Sequence, residues 1–347
     1  GLSRSYTPPT SPAPVLAVDI PSGVAGLTGE LVGEPFTAQR TVTFQALKPG
    51  LVLEPGATRC GFVEVVDIGL DASGARSHLV ERADVAHVLP VRDAAAHKWR
   101  SACWVIGGSA GMDGAAVMAA AAAARTGAGY VRLSVPGASV SGPLEVVGHA
   151  VGAATWADEL TDTDRFGSIV LGPGLGRTPE ALAEVVKALA RVERPVVLDG
   201  DALAALAARP DAVRKRAAPT VLTPHDGEYE RLMGRRPAAD RFDEARALAQ
   251  EFRSVVLLKG PATIVAEPNG AVQFVNNGDA RLATAGTGDV LAGIIGALLA
   301  QGTAPFEAAV AGAWLHGHAA SLRPRYGMVA SDLLDVLPEA LHETHMG

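Results

Sequence analysis

The sequence has few aromatic residues, few cysteines and no extended basic segment. Aromatic residues make up 5% of the 347 residues, and the two cysteines are Cys60 and Cys103. Two distant cysteines do not build a disulfide scaffold, and they are typical of a reducing cytoplasm, where we expect the protein. The net charge is −7, and the longest basic run is Arg214-Lys215-Arg216. Because binders of nucleic acid or of anionic membranes usually carry a basic stripe, we expect neither kind of partner.

Long apolar runs are also missing. The longest lie at residues 115–124 and 290–300, and both are shorter than the ~20 residues of a membrane-spanning helix. Hydrophobic residues reach 48% and charged residues 19%, a composition that excludes a disordered chain. The length predicts roughly two domains of about 150 residues each. The chain opens on Gly1 without a methionine, so we expect it to be part of a longer product.

The pattern of strands and helices changes along the chain. Residues 1–70 contain three candidate strands, at 15–20, 41–44 and 62–68, and almost no helical pattern; this predicts the end of a domain rather than a whole one. From about residue 100, short aliphatic runs alternate with helical stretches such as 179–191. This alternation predicts an α/β fold, a parallel sheet with helices on both faces. We place the boundary in the Asp-, Ser- and Gly-rich segment 69–83, which predicts domains at 1–76 and 77–347.

The strongest chemical signal is the string A-T-A-G-T-G-D at residues 283–289, which leads into an aliphatic helix. Gly286 and Gly288 leave backbone N–H groups bare, and the helix dipole adds partial positive charge there. The string therefore predicts a site for a phosphate or an oxyanion. Asp289, at the start of the helix, is placed to take a proton from a hydroxyl. The alternative is that Asp289 caps the helix and the glycines form a turn.

This string resembles the ribokinase-like superfamily, and within it the NAD(P)H-hydrate dehydratase branch. Two further strings support that branch, T-P-H-D-G-E at residues 223–228 and G-G-S-A-G-M-D-G-A-A at 107–116. The resemblance covers residues 80–340. It implies a ribokinase-like parallel-sheet sandwich with helices on both faces.

The activity that this resemblance implies is repair of hydrated NADH and NADPH (NADHX and NADPHX). ADP, or ATP in some members, phosphorylates the ring hydroxyl, which then leaves as phosphate while the ring nitrogen supplies electrons. A bound Mg²⁺ is expected to bridge phosphate oxygens. An authentic kinase of a small vitamin-precursor alcohol and a catalytically idle nucleotide-binding scaffold are the alternatives. We also expect a homo-oligomer, and the preference between ADP and ATP stays open.

The resemblance implies a role for each of several residues. Asp289 is the catalytic base and contacts the substrate. The nucleotide site comprises Lys259, Gly260, Pro261, Ala262, Thr263 and the anion hole Gly286, Thr287 and Gly288; the remaining substrate contacts are Ala115, Gly174 and His225. A surface lysine in a turn and a structural histidine are the alternatives for Lys259 and His225. Asp199 and Asp201 are interpreted as caps of the helix that starts near Ala202, and contact with ligand or metal is the alternative.

The first seventy residues resemble the end of NAD(P)H-hydrate epimerase, a Rossmann-like domain. The supporting strings are A-V-D-I-P-S-G at residues 17–23 and V-V-D-I-G at 65–69. The resemblance implies that Asp19 contacts the substrate and that Ser22 helps to bind potassium. The epimerase string Gly-Asn-Asn-Gly-Gly-Asp is absent from this chain. We therefore expect epimerase activity only from a full-length protein.

Overall fold

The computed structural model describes residues 12–139 and 142–346, and the chain divides into two compact units. The small unit runs to Arg76 and includes Pro237–Glu244. The large unit comprises Ser77–Arg236 and the chain from Ala245 onward. In the described part of the chain, no helix is both long enough and apolar enough to cross a membrane.

The small unit contains a parallel sheet of three strands and a short helix. Its elements are β1 (Leu16–Val18), β2 (Arg40–Phe44), α1 (Ala57–Cys60) and β3 (Phe62–Val66), and β2 lies in the middle of the sheet. The three predicted strands are confirmed, but the first is shorter than the apolar run. It ends before Asp19 because that residue has a φ of +68°, outside the extended region of the backbone.

The large unit is built on one sheet of ten strands. Its spatial order is β4-β13-β12-β11-β10-β9-β8-β5-β6-β7. The strands are β4 (Ser77–Leu79), β5 (Ala102–Ile106), β6 (Tyr130–Ser134), β7 (Val146–Gly148), β8 (Ser168–Leu171), β9 (Val196–Leu198), β10 (Thr220–Leu222), β11 (Val255–Leu258), β12 (Thr263–Ala266) and β13 (Val272–Val275). All neighbours are parallel except at β12, which is antiparallel to both β11 and β13. The predicted parallel sheet is therefore correct apart from this hairpin strand, which the short turn after β11 produces.

Helices cover both faces of this sheet. They are α2 (Arg82–Val88), α3 (Asp113–Arg125), α4 (Pro179–Arg191), α5 (Asp201–Ala208), α6 (Asp211–Arg214), α7 (Asp226–Met233), α8 (Arg241–Phe252), α9 (Thr287–Ala300), α10 (Pro305–Ser321) and α11 (Ala330–Met346). On one face, α3, α9 and α10 pack against the sheet, and α11 packs on these three helices. On the other, α5 packs against α4 and α7, and α6 packs against α4 and α5.

Small residues set the position of α9 against α3. A Cβ at Gly293 would lie 2.1 Å from the carbonyl oxygen of Ala119, so only glycine allows the two helices to approach this closely. Ala119 and Ala122 of α3 are fully buried at this contact. This close packing fixes the axis of α9, and with it the direction in which the first turn of α9 points.

Candidate active site

Three neighbouring parallel strands, β9, β10 and β11, end at one edge of the large sheet, and a residue of functional interest follows each of them. Asp199 follows β9, Thr223 follows β10 and Lys259 follows β11. Carboxyl ends of parallel strands are where ligands bind in open α/β sheets. A backbone hydrogen bond from Lys259 to the carbonyl oxygen of Pro224, 2.8 Å long, joins two of these strand ends.

Lys259 is held inside this edge by an ion pair. Its Nζ lies 2.8 Å from Oδ1 of Asp199 and 3.8 Å from Oε2 of Glu228. Thr223 donates a hydrogen bond of 2.5 Å to the same Oδ1 of Asp199. Burial lowers the pKa of Lys259, but the carboxylates of Asp199 and Glu228 outweigh burial and raise it overall. Lys259 is therefore a permanent cation. It lies in a turn, as the alternative held, yet its side chain is directed inward.

The first turn of α9 lies beside that lysine. A Cβ built on Gly288 would be 3.5 Å from Nζ of Lys259. Gly286 has a φ of +93°, which turns the chain into the helix. The amides that open a helix have no intrahelical partner, so this turn directs bare N–H groups and a partial positive charge toward the lysine. The geometry fits an anion.

The side-chain hydroxyl of Thr287 stabilises the turn and does not serve as a ligand for the anion. Its hydroxyl donates to the carbonyl oxygens of Leu282 and Thr284, at 2.7 and 2.9 Å. Both carbonyls belong to the loop that leads into α9. The amide of Thr287 is also bonded to the carbonyl oxygen of Thr284, at 3.3 Å, so a contact of Thr287 with an anion stays a prediction.

Asp289 is half-buried in the same turn, and its pKa is raised to about 7. Burial is the largest cause, the negative charge of Asp199 is the next, and Lys259 opposes both. Asp201 and Glu228 raise the pKa further. A carboxylate with a pKa near neutrality is suited to accept a proton in a reaction at neutral pH.

His225 caps α7 and remains accessible. Its Nδ1 accepts a 2.9 Å hydrogen bond from the amide of Gly227, and the amide of His225 donates a 2.9 Å hydrogen bond to Oε2 of Glu228. Its side chain is 55% exposed, and Nε2 lies 3.6 Å from Oε1 of Glu228. The structural alternative therefore holds for Nδ1, and the contact of the exposed ring edge with the substrate stays a prediction. Burial raises the pKa of Glu228 despite the nearby lysine.

Ala115 and Gly174 lie next to each other, as their predicted shared role requires. A Cβ at Gly174 would be 3.2 Å from that of Ala115 and 2.5 Å from the carbonyl oxygen of Met112. The hydroxyl of Ser109 donates to the carbonyl oxygen of Gly174 at 2.8 Å, which closes the glycine loop before α3 onto the loop after β8.

The remaining nucleotide string forms the turn between β11 and β12. Gly260 and Pro261 are exposed, and Ala262 is half-buried. Thr263 begins β12, where it pairs with Val275. These four residues follow Lys259 in the chain, and none of them is fully buried.

The interpretation of Asp199 and Asp201 as helix caps is wrong. α5 begins at Asp201, and its capping position is Gly200, with no side-chain cap. Asp199 is instead the partner of Lys259, and Asp201 accepts bonds from the amide of Gly176 and from Nε of Arg177, at 2.9 and 2.6 Å. Sequence reasoning also assigned no role to Glu228 and Thr223. Both follow β10, Thr223 directly and Glu228 in the first turn of α7, and this shared position was the available signal.

Asp19 and Ser22 belong to the small unit. Asp19 is 2.7 Å from Nζ of Lys48 and accepts a 3.0 Å hydrogen bond from the hydroxyl of Thr43. The hydrogen bond from Lys48 lowers the pKa of Asp19. Ser22 is exposed.

Comparison with known proteins identifies the family. A family profile described as NAD(P)H-hydrate dehydratase matches residues 103–340. The chain belongs to this family. The resemblance carried by the motifs is thereby confirmed. A second profile, the amino-terminal part of YjeF-related proteins, matches residues 7–50.

Curated relatives within this family are longer than the chain. The bifunctional NAD(P)H-hydrate repair enzyme Nnr of Salinibacter ruber is 42% identical over 95% of this chain and 66% of that protein. The enzyme of the same name from Escherichia coli is 37% identical over 96% of this chain and 67% of that protein. The chain thus spans 66% of the length of the Salinibacter relative.

A solved family structure shares the fold. The ADP/ATP-dependent NAD(P)H-hydrate dehydratase from Bacillus subtilis, co-crystallised with ATP and Mg²⁺, is 28% identical, with a TM-score of 0.67. The match covers 77% of this chain and 98% of that chain. A ribokinase-like protein of Enterococcus faecalis, 22% identical with a TM-score of 0.66, has the same fold. The predicted ribokinase-like α/β architecture is confirmed.

Proposed function

We propose that this chain dehydrates NADHX and NADPHX back to NADH and NADPH, with ADP as the phosphoryl donor. The observation that carries the proposal is Asp289, a carboxylate with a raised pKa in the first turn of α9, opposite the cation Lys259. The relatives named as repair enzymes and the dehydratase co-crystallised with ATP and Mg²⁺ support the same chemistry.

The reaction would begin with proton removal. Asp289 takes the proton of the hydroxyl on the hydrated nicotinamide ring, and the oxygen attacks the terminal phosphorus of ADP. The new oxygen–phosphorus bond forms as the bridging bond of ADP breaks, which releases AMP. The amides of Gly286 and Gly288 and the charge of Lys259 would stabilise the transferring phosphoryl group.

Elimination would complete the reaction. The lone pair of the ring nitrogen expels the phosphate ester, and the neighbouring ring carbon loses a proton as the double bond re-forms. Net products are NADH or NADPH, AMP and phosphate. Hydroxide is a poor leaving group and phosphate a good one, so the nucleotide is what makes the elimination possible.

Mg²⁺ fits the site as a companion of the nucleotide. No cluster of three or more metal-binding side chains occurs in residues 12–139 and 142–346. Mg²⁺ commonly takes one or two carboxylates together with phosphate oxygens and water. Asp199 and Glu228, both buried beside Lys259, would hold it there. When bound, the ion would supply neutralisation of the negative charge on the phosphates.

The substrate would lie between the helix start and the glycine loops. Ala115 and Gly174 line the substrate site with no side chain larger than a methyl group. His225 offers its exposed ring edge to the hydrated nucleotide. In the turn after β11, Gly260, Pro261, Ala262 and Thr263 would line the nucleotide beside Lys259.

We assign residues 1–76 to the end of an epimerase domain and residues 77–347 to the dehydratase. The two family profiles, at 7–50 and 103–340, support this assignment. Asp19 as a substrate contact and Ser22 as a potassium ligand remain predictions for a full-length epimerase domain. The homo-oligomer also remains a prediction, which light scattering in solution tests.

The decisive experiment follows the absorbance band of reduced nicotinamide. Purified protein is mixed with NADHX and ADP, ATP or no nucleotide, each with and without Mg²⁺. We expect recovery of the band only when nucleotide and Mg²⁺ are both present, and faster recovery with ADP. Equal rates without nucleotide contradict the proposal. Asp289→Asn serves as the matched inactive control.

A further inference from the structure

A histidine outside the proposed site is buried against the first turn of α9. His316 lies on α10, is 7% exposed, and has an imidazole that interacts with the backbone of Thr287. Its Nε2 is buried and has no hydrogen-bond partner among the described residues. Placing a polar ring in an otherwise aliphatic contact between two helices costs free energy, so packing alone does not explain it.

The same stretch of α10 also holds the loop that precedes α9. Asn277, which follows β13, donates a 2.8 Å hydrogen bond from Nδ2 to the carbonyl oxygen of Trp314. A Cβ at Gly317 would lie 2.3 Å from Oδ1 of Asn277, so glycine allows Asn277 to approach α10 this closely. Residues 314–317 of α10 therefore contact the segment 277–287 at both of its ends.

Thr287 is the point at which these supports meet. Its hydroxyl is bonded to the loop carbonyls of Leu282 and Thr284, and its backbone faces His316. Gly288 and Asp289 are the next two residues in the same turn. A shift of Thr287 would therefore displace both the bare amides and the carboxylate.

We propose that His316 is a positioning residue that holds the first turn of α9 in the geometry needed for phosphoryl transfer. The kinetic consequence of this proposal rests on the proposed function, whereas the contact between His316 and Thr287 does not depend on it. Burial and the positive charge of Lys259 lower the pKa of His316 to about 4, so the ring is neutral at neutral pH and adds no charge that would compete with Lys259 for the anion.

The test compares His316→Leu with two amide variants and a control. His316→Asn and His316→Gln keep a hydrogen-bonding group near Nδ1 and Nε2, respectively. The matched control is His318→Leu, since His318 lies on the same helix but bonds to Glu343 of α11, 2.8 Å away. Thermal melting of all four variants verifies that each folds.

The first readout is hydrogen exchange, which requires no turnover. The amides of Thr287 and Val290 are bonded to the carbonyl oxygens of Thr284 and Gly286. We expect His316→Leu to speed their exchange by at least ~10-fold, since exchange reports local opening. His318→Leu should leave it unchanged. Exchange at the wild-type rate in His316→Leu overturns the proposal, even if the wild type fails to repair NADHX.

The second readout is the split between kcat and KM. We expect His316→Leu to lower kcat by ~10–100-fold, because small misplacements of reacting groups are costly, and to change KM for ADP by less than about 3-fold. Because Nε2 has no partner among the residues that the structure describes, His316→Asn, which keeps a group near Nδ1, should recover most of kcat, and His316→Gln should not. Loss of kcat and affinity together in all three variants, in proportion to lost thermal stability, overturns the positioning role.

Discussion

Each unit of the molecule contains a lysine–aspartate pair of nearly the same length. Lys48 Nζ lies 2.7 Å from Asp19 Oδ1 in the small unit, and Lys259 Nζ lies 2.8 Å from Asp199 Oδ1 in the large one. The side chains of the first pair are 29% and 45% exposed, and those of the second 20% and 4%. Water screens the first pair, whereas the second interacts through a medium of low dielectric constant. The distance between the charged atoms therefore does not show which pair contributes more to the unfolding free energy.

The two ion pairs also differ in how they shift the pKa values of neighbouring groups. Around Lys259, the negative charge of Asp199 contributes to the raised pKa of Asp289 and opposes ionisation of Glu228. In the small unit, Lys48 lowers the pKa of its own partner, Asp19. A buried pair can thus tune a reactive carboxylate, while an exposed pair acts locally.

The largest effect is expected from Asp289→Asn. Loss of the base should lower kcat by ~10²–10⁴-fold, while the dissociation constant for ADP changes by only a few-fold because backbone amides and Lys259 remain. Kinetics on NADHX and calorimetric titration with ADP measure the two quantities. Asp19→Asn, the equivalent change in the small unit, should leave the dehydration rate unaltered. If Asp289→Asn kept more than a tenth of wild-type kcat, Asp289 would be a helix cap rather than a base.

Lys259→Met should have the next largest effect, on stability and on nucleotide binding. It leaves the buried carboxylate of Asp199 without a cation, which costs about 3 kcal/mol of unfolding free energy. Urea unfolding at neutral pH measures this loss. Adding Asp199→Asn to Lys259→Met should recover part of it, because the unpaired charge is then gone. If Lys259→Met alone were as stable as the wild type, the ion pair would contribute nothing to the unfolding free energy.

The raised pKa of Asp289 predicts that the stability of the protein depends on pH. This effect is smaller, and its sign is known. The folded pKa, about 7, lies above the ordinary value of 3.8. The native state therefore binds the proton more tightly than the unfolded state, so stability falls as pH rises between these two values. Asp289→Asn should raise the melting temperature by a few degrees at about pH 8 and by less at about pH 5. An equal shift at both pH values would mean that the pKa is not raised.

Lys48→Met should have the smallest effect. Because the pair with Asp19 is exposed, its loss should change the unfolding free energy by less than ~1 kcal/mol. Urea unfolding beside Lys259→Met gives the comparison directly. A loss as large as that of Lys259→Met would show that exposure does not separate the two pairs.

The two sheets differ in how their apolar strand residues are covered. In the large sheet, every residue of β5, β8 and β11 is buried. In the small sheet, Leu16, Val18 and Phe62 are each more than half exposed. The apolar character of these strands was readable from sequence, but their burial depends on which helices pack against them.

Some elements were predictable because the information is local. The proline and alanine pattern of α4 predicted its bounds, Pro179–Arg191, correctly. The string 283–289 predicted a helix start with bare amides, because Gly286 and Gly288 act through the backbone. The antiparallel strand β12 was not predicted, since four β-branched and aliphatic residues fit a parallel strand equally well.

The sequence by itself determined the family, the strand ends at which the candidate site residues lie, and the glycine-containing turn that opens α9, for which it predicts phosphate binding. These properties depend on the identity and order of nearby residues. Only the tertiary structure decided that Asp199 pairs with Lys259 rather than capping α5, that Glu228 joins them, and that His316 contacts Thr287. Sixty residues separate Asp199 from Lys259 along the chain, and the sheet brings them together. Their burial, and therefore the pKa of Asp289, exists only once the helices have closed over that edge.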